Sequence, residues 1–337
     1  MKARSDAGET WPDDRFEQVE VCPWCDGSSL ATEVTDVRDW YFGAIPGAFS
    51  FSRCLDCGAL VLDTRPKPEY LPRAYEGYYT HDEGRKKTAP KGSLVQRARS
   101  TISSGYVRSR YGQMSDPLSS LVGRFYTLFP SRRREMDVIQ RFLPRSPGIV
   151  LDYGCGDGAF LGLAKGHGHH PIGVDFDPDA RRVATQKGVE AVAPEALPSV
   201  LGDRQLDYVS AVHVIEHVPD PKNLLLSFRR WTKSGAVLFL EIPNALAVGL
   251  YRYGAYWRGL EAPRHFSLPS RDTLKDALVD AGFSDVTFHP RPSVKDWLWL
   301  ECDQALATAG VPRRSARLRN VRSSDEEEFL TVTARAS

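Results

Sequence analysis

The chain has 337 residues, 42% of them hydrophobic and 26% charged, with 44 Lys and Arg against 43 Asp and Glu. That is the makeup of an ordinary globular protein with room for one large domain and a small one, and a net charge of +1 singles out no class of partner. No apolar run approaches the roughly 18–20 residues of a membrane helix. The opening stretch, MKARSDAGETWPDDRFEQ, has no apolar core, so no secretory leader is expected and a cytoplasmic location is.

Residues 1–20 read as a loose tail. Residues 21–65 carry Cys22-Pro-Trp-Cys25 and Cys54-Leu-Asp-Cys57, separated by short Val/Phe/Leu runs and glycine, which predicts a small ribbon of strands. Each C-x-x-C pair can sit on a tight knuckle, and Gly27 and Gly58 follow closely where a knuckle needs a relaxed backbone. Two knuckles offer four thiolates. In a reducing compartment that pattern favours a metal over disulfides, and a closed four-cysteine set predicts structural zinc; an iron site and free thiols are the alternatives. Residues 66–145 read as a loop followed by helical segments, with Leu, Val, Ile and Phe at three- and four-residue steps and Ser131 as a candidate N-cap for the helix 131–143. From Arg85 to Arg145 there are 14 Lys and Arg against 3 Asp and Glu. That run reads either as a solvated helical face or as a grip for an anionic acceptor such as a phosphate, a nucleotide-sugar or RNA.

From Gly148 the pattern changes to apolar strands alternating with helices: IVLDYG, AFLGLAKGHG, PIGVDFD, PDARRVATQKG, LDYVSAV, PKNLLLSFRRWTKSG and AVLFLEIP. This alternation predicts an α/β, Rossmann-like doubly wound sheet of seven strands spanning 146–337. FLTVTAR near the end is the antiparallel member. A helical insertion occupies about 293–325, and it is expected either to cap an acceptor pocket or to support a homodimer.

The densest signal is VLDYGCGDG, residues 150–158. A buried strand ends at Asp152 and runs into Gly154, Cys155, Gly156 and Gly158, where the backbone can turn tightly and approach a ligand. Seventeen residues after Gly158 the next strand ends at Asp175, whose carboxylate can accept hydrogen bonds from two ribose hydroxyls. The G-x-G-x-G spacing differs from the G-x-G-x-x-G of dinucleotide sites, and Asp152 would repel a pyrophosphate while tolerating a cationic ligand.

These residues resemble the first two motifs of class I S-adenosylmethionine (SAM)-dependent methyltransferases, and the resemblance continues to about Pro290. It implies SAM as cofactor, held at Asp152, Gly154, Cys155, Gly156 and Asp175, with Phe176 against the adenine, Glu195 near the adenine amine and His213 near the methionine part. His213 is equally compatible with a purely structural histidine. Together with the zinc segment, His265 in GLEAPRHFSLPS resembles the proposed base of sugar C-methyltransferases that act on nucleotide-linked deoxy-sugars. There the histidine follows an acid, where this chain has Arg264. Tyr75, Tyr78 and Tyr79 stand where that family has tyrosines that close over the site. Only 47 residues follow Pro290, so the family's second C-terminal domain has no counterpart within this sequence. VIEHVPDP also resembles the loop of quinone O-methyltransferases. Glu216 and His217 read equally as part of such a site or as a helix-start acid and a supporting histidine, and His213, standing where those enzymes have an acid that can help bind a metal, argues against a second metal site here.

The reading that unites these features is methyl transfer to a small molecule, a sugar, nucleotide-sugar or specialised metabolite. His265 is the candidate base, with Tyr79 and His217 beside it. The alternatives are an RNA methyltransferase gripping phosphates with ribbon and basic helices, an O-methyltransferase of a quinone- or phenol-like acceptor, and a non-catalytic SAM-binding scaffold. Against RNA, no Asn-Pro-Pro-Tyr or Pro-Cys follows the fourth strand, and the basic residues are not interleaved with many aromatics.

Overall fold

The computed structural model describes residues 12–75, 105–107, 109–111, 121, 128–291, 294–312 and 327–337. Five short strands come first: β1 (Phe16–Gln18), β2 (Leu30–Val37), β3 (Phe49–Cys54), β4 (Leu60–Leu62) and β5 (Thr64–Pro66). They lead into the single turn α1 (Leu71–Ala74) and later α2 (Pro130–Ile139). Helix α2 begins at Pro130 with Phe129 at its cap, so Ser131 lies inside the first turn and makes no cap. Proline's fixed φ and missing N–H favour the first helical position and set this start.

The core then alternates β6 (Ile149–Tyr153), α3 (Ala159–Gly166), β7 (His170–Val174), α4 (Pro178–Gln186), β8 (Glu190–Val192), α5 (Leu197–Leu201), β9 (Leu206–Val212), α6 (Pro221–Trp231) and β10 (Thr232–Pro243). It continues with α7 (Val248–Tyr253), β11 (Ser267–Leu268), α8 (Arg271–Asp280), β12 (Phe283–Phe288), α9 (Val294–Thr308) and β13 (Phe329–Ala336). Seven of these strands form one sheet in the order β12-β13-β10-β9-β6-β7-β8. β8, β7, β6, β9 and β10 are parallel neighbours, and β13 runs antiparallel between β10 and β12. The expected seven-stranded sheet with FLTVTAR reversed is therefore present.

Local chemistry explains the boundaries. Asp177, Asp220 and Ser270 each accept a hydrogen bond from a first-turn N–H, at 2.9, 3.0 and 3.1 Å, and fix the starts of α4, α6 and α8. The central strands are apolar on both faces because helices cover both. Val150, Leu151, Val209, Leu238 and Leu240 are all fully buried. The order reverses between β6 and β9, and the carboxyl ends of these two strands open the crevice in which such sheets hold ligands.

The cysteine-bearing strands do not close on themselves. β2, β3 and β4 form an antiparallel sheet whose fourth strand is β11, contributed by the core, with Ser267 opposite Val61 and Leu268 opposite Leu60. Trp24 Nε1 donates to Ser267 Oγ at 2.9 Å, and Thr273 Oγ1 donates to the Cys57 carbonyl at 2.5 Å. The ribbon is thus stitched to the segment that follows His265. Among the described residues no helix is long and apolar enough to cross a membrane.

Candidate active site

The glycine turn after β6 is built by backbone bonds to the neighbouring strand. Gly154 N and Cys155 N both donate to the Val174 carbonyl, at 2.7 and 2.9 Å. Gly154 adopts φ +79, and a Cβ there would lie 2.3 Å from Val214 Cγ2, so only glycine fits. Gly156 N donates to Asp175 Oδ2 at 2.8 Å, while Asp177 N donates to Oδ1 at 2.9 Å. One carboxylate therefore holds the turn and keeps a lone pair on each oxygen for a further donor. Burial raises the Asp175 pKa above the usual carboxylate value, and the two N–H bonds oppose that shift.

A cavity of about 560 Å³ opens here, lined by Tyr153, Gly154, Gly156, Asp175, Phe176, Pro194, His213 and His217. Phe176 is 49% exposed, and Tyr75 meets it edge-on with ring centroids 4.8 Å apart. Three of the residues expected at the cofactor adjoin the cavity without lining it. Asp152 is buried beneath the turn, bonded to Arg141 at 2.5 Å. Arg141 in turn reaches Ser210 at 2.7 Å, so the acid anchors the strand end and does not face the cavity. Cys155 packs against Gly173, its N–H already used by Val174. Glu195 is exposed on the short turn Pro194–Ala196, where Pro194 supplies the cavity wall.

A second, smaller chamber of about 130 Å³ lies beyond, lined by His213, His217, Pro243, Arg258, Gly259, Glu261, His265, Trp297, Leu298 and Phe329. His213 and His217 belong to both cavities. The His217 and His265 rings meet edge-on, centroids 4.6 Å apart. Donor atoms of Glu216, His217 and His265 all lie within 4.8 Å of one another, and the buried Glu216 Oε2 has no hydrogen-bond partner among the described residues.

The proton positions follow from the partners. His265 Nδ1 lies 2.8 Å from the Gly259 carbonyl and His217 Nδ1 lies 3.0 Å from the Arg264 carbonyl. A carbonyl oxygen only accepts, so a hydrogen on each Nδ1 satisfies it and leaves the lone pair on Nε2. Burial lowers both pKa values, His217 to about 4 and His265 well below its ordinary value, aided by their mutual proximity at His265. Both are therefore neutral bases near pH 7. His213 goes the other way. Burial disfavours its charge, but the hydrogen bond that its Nδ1–H donates to Glu216 Oε1 at 3.2 Å, and the charges of Glu216 and Glu241, outweigh it and raise its pKa. Its φ of +53 aims the ring at these acids from the end of β9.

Arg264, where the sugar C-methyltransferase pattern has an acid, is buried and faces away from the chamber. Its guanidinium binds Asp39 through two bonds of 2.5 and 3.0 Å and Glu261 at 3.1 Å. Arg258 is paired with Glu261 and with Glu301. The sequence reading missed Arg258, Glu261, Trp297 and Phe329, which come to one place only where the segment after α7, helix α9 and strand β13 meet. Tyr75 lies beside His217, its hydroxyl 2.9 Å from Nδ1. Tyr78 and Tyr79 lie outside the described residues, as does most of the basic run 85–145.

The four ribbon cysteines converge as their spacing predicted. Their sulfurs lie within 4.8 Å of one another, with Cys22 and Cys57 Sγ 3.6 Å apart and Cys25 and Cys54 Sγ 3.5 Å apart. A tetrahedron with Zn–S of about 2.3 Å has edges of about 3.8 Å, so the donor set fits zinc. The knuckles are closed by backbone bonds, Cys22 N to Gly27 O and Cys54 N to Ala59 O, both 2.8 Å.

Comparison with known proteins agrees with this geometry. A family model described as a methyltransferase domain matches residues 128–287. A ubiquinone biosynthesis O-methyltransferase of Nitrosomonas europaea is 31% identical over 164 residues, covering 43% of this chain and 69% of that protein. The chain belongs to the class I SAM-dependent methyltransferases. A second ubiquinone biosynthesis O-methyltransferase, from Xylella fastidiosa, is 28% identical over 116 residues, 32% of this chain and 47% of its own length. A probable SAM-dependent methyltransferase of Mycobacterium tuberculosis is 29% identical over 157 residues, covering 46% and 56%. The chain thus spans about half the length of these two curated relatives. Within this methyltransferase the matched region holds the glycine turn, Asp175, His217 and His265, while the cysteine ribbon and α9 lie outside it.

Proposed function

We propose that this chain transfers a methyl group from SAM to a small-molecule acceptor whose reacting atom sits in the inner chamber, against His217 and His265. The observation that carries this reading is the shared wall. The large cavity and the small chamber have His213 and His217 in common, so a donor in one and an acceptor in the other meet at the histidines. SAM supplies the methyl group when bound. Asp175 would hold its ribose hydroxyls through the lone pairs left by Gly156 and Asp177, and Phe176 and Pro194 would flank the adenine. Placement of two reactants in line supplies much of such a rate enhancement.

The residues' own chemistry fits acceptor activation. His265 and His217 hold bare Nε2 lone pairs, and a hydroxyl or an acidic C–H held between them can pass its proton to one of them as the new bond forms. Glu261, within 3.9 Å of His265 Nε2, stabilises the imidazolium that results. Arg258 is already matched by two carboxylates, which supports an uncharged reacting end even if the acceptor carries an anionic handle elsewhere. Trp297 and Phe329, centroids 6.2 Å apart, form an aromatic wall that suits a ring. A sugar, a nucleotide-sugar or a specialised metabolite meets these demands. A hydroxylated quinone- or phenol-like ring also does, and the similarity to two ubiquinone biosynthesis O-methyltransferases favours it. We assign the four cysteines to structural zinc.

The test is His265→Ala. Methyl transfer should disappear while SAM affinity, measured by calorimetry, stays within about twofold. Full activity in the variant removes His265 as the base.

A further inference from the structure

We propose that the buried Arg264–Asp39 ion pair is a positioning device: through it the cysteine-bearing sheet fixes the proton of His217 on Nδ1 and aims the Nε2 lone pairs of His217 and His265 into the inner chamber. The proposal rests on the reading of that chamber as the acceptor site.

Arg264 and Asp39 are 225 positions apart, and their side chains are 0% and 1% exposed. Asp39 follows β2 of the cysteine sheet and also accepts the Ala44 N–H at 2.8 Å, so it is fixed by its own loop. Arg264 meets it with a two-pronged fork and adds bonds to Glu261 Oε1 and the Ala74 carbonyl, both 3.1 Å. Such a fork fixes orientation as well as distance, which a lysine's point charge does not. The backbone of this arginine then serves the histidines. Its carbonyl accepts from His217 Nδ1, and the next residue is His265. One residue further, Phe266 N donates to the Glu216 carbonyl at 2.7 Å and Phe266 O accepts from Leu62 N at 2.9 Å, where β11 joins the ribbon.

His217 faces a choice that Arg264 decides. Its Nδ1 has two oxygens nearby, the Arg264 carbonyl at 3.0 Å and the Tyr75 hydroxyl at 2.9 Å. The hydroxyl can accept from Nδ1–H or donate to a bare Nδ1. The carbonyl can only accept. While Arg264 is held in place, Nδ1 must carry the hydrogen and Nε2 stays free. Once the carbonyl moves away, Tyr75 can donate into Nδ1, the hydrogen shifts to Nε2 and the base facing the chamber is lost. Arg264 and Asp39 act through the histidines and touch neither donor nor acceptor, so both are positioning residues.

The experiment reads tautomers directly. The full chain is labelled with ¹⁵N-histidine, and long-range ¹H–¹⁵N spectra are recorded near pH 7 without added divalent cation, with His217→Gln and His265→Gln assigning the two signals among eight histidines. The native protein should show single Nδ1–H tautomers at both. Asp39→Asn and Arg264→Lys should lose the single-tautomer signature of His217. Because a broken buried pair can prevent folding, Asp39→Leu with Arg264→Met replaces both partners by apolar groups, an exchange that buried pairs tolerate. That double variant should keep native circular dichroism yet show mixed tautomers at His217. A folded double variant that retains pure Nδ1–H overturns the proposal, and so does an Nε2–H tautomer at His217 in the native protein. Neither readout needs an acceptor, whereas the chamber reading fails through the His265→Ala transfer assay.

Discussion

Replacing Asp175 by Asn separates the two tasks assigned to one carboxylate. The native side chain accepts from Gly156 N and Asp177 N at 2.8 and 2.9 Å while 3% exposed. An amide has one oxygen, so its NH₂ must face one of these N–H groups. Leaving a buried donor unpaired costs about 1–3 kcal/mol, and denaturant unfolding should register that loss. The ribose then loses a charged acceptor, worth about 1.5–3 kcal/mol per bond. One such bond corresponds to roughly a 10- to 150-fold weaker affinity for SAM, by the tenfold-per-1.4 kcal/mol rule. Calorimetry with S-adenosylhomocysteine measures it without an acceptor. Affinity within threefold of the native protein would refute the ribose assignment, and unchanged stability would refute the role of Asp175 in holding the turn.

Gly154→Ala forces both a left-handed backbone and an overlap with Val214, and should cost about 2–4 kcal/mol. Gly156→Ala meets open space at φ +52 and should cost only about 1–2 kcal/mol, so equal unfolding midpoints would contradict the turn geometry. Cys54→Ser, or a strong chelator, should lower thermal stability and release zinc measurable by a colorimetric indicator, while SAM affinity is retained. In the pH dependence, His217 is lowered to about 4 from an ordinary 6.5, so between those values the unfolded chain binds a proton that the folded one refuses. Its contribution is complete above pH 6.5 and lost as pH falls toward 4, by roughly 2–3 kcal/mol after allowance for partial exposure. The difference between native and His217→Gln unfolding curves from pH 4 to 7 should carry that slope, and a flat difference would contradict the buried neutral state.

The parts of the fold that were legible in the sequence are those governed by local pattern. Runs such as LDYVSAV and AVLFLEIP are apolar on both faces because the parallel strands they form are covered twice. The cysteine pairs and the glycine turn announce themselves by spacing, and Asp175 by its distance from Gly158. What sequence could not supply was where side chains end up once distant segments meet. Asp152 looked like a cofactor contact, yet Arg141, from the loop after α2, draws it into the core. Glu195 stands in the right region but is exposed on a three-residue turn whose Pro194 forms the cavity wall. β11 has two residues, too few to show alternation, and becomes a strand only because the ribbon needs an edge. Arg264 seemed a departure from a family pattern, and its meaning appears only with Asp39 beside it.

The most direct test of the central claim is transfer of isotope-labelled methyl from SAM into a fractionated cell extract, by the native protein and by His265→Ala in parallel. The account predicts label in a small, nuclease-resistant product with the native protein and none with the variant, at equal SAM affinity. Label in a nuclease-sensitive polymer, or equal labelling by both proteins, would contradict it.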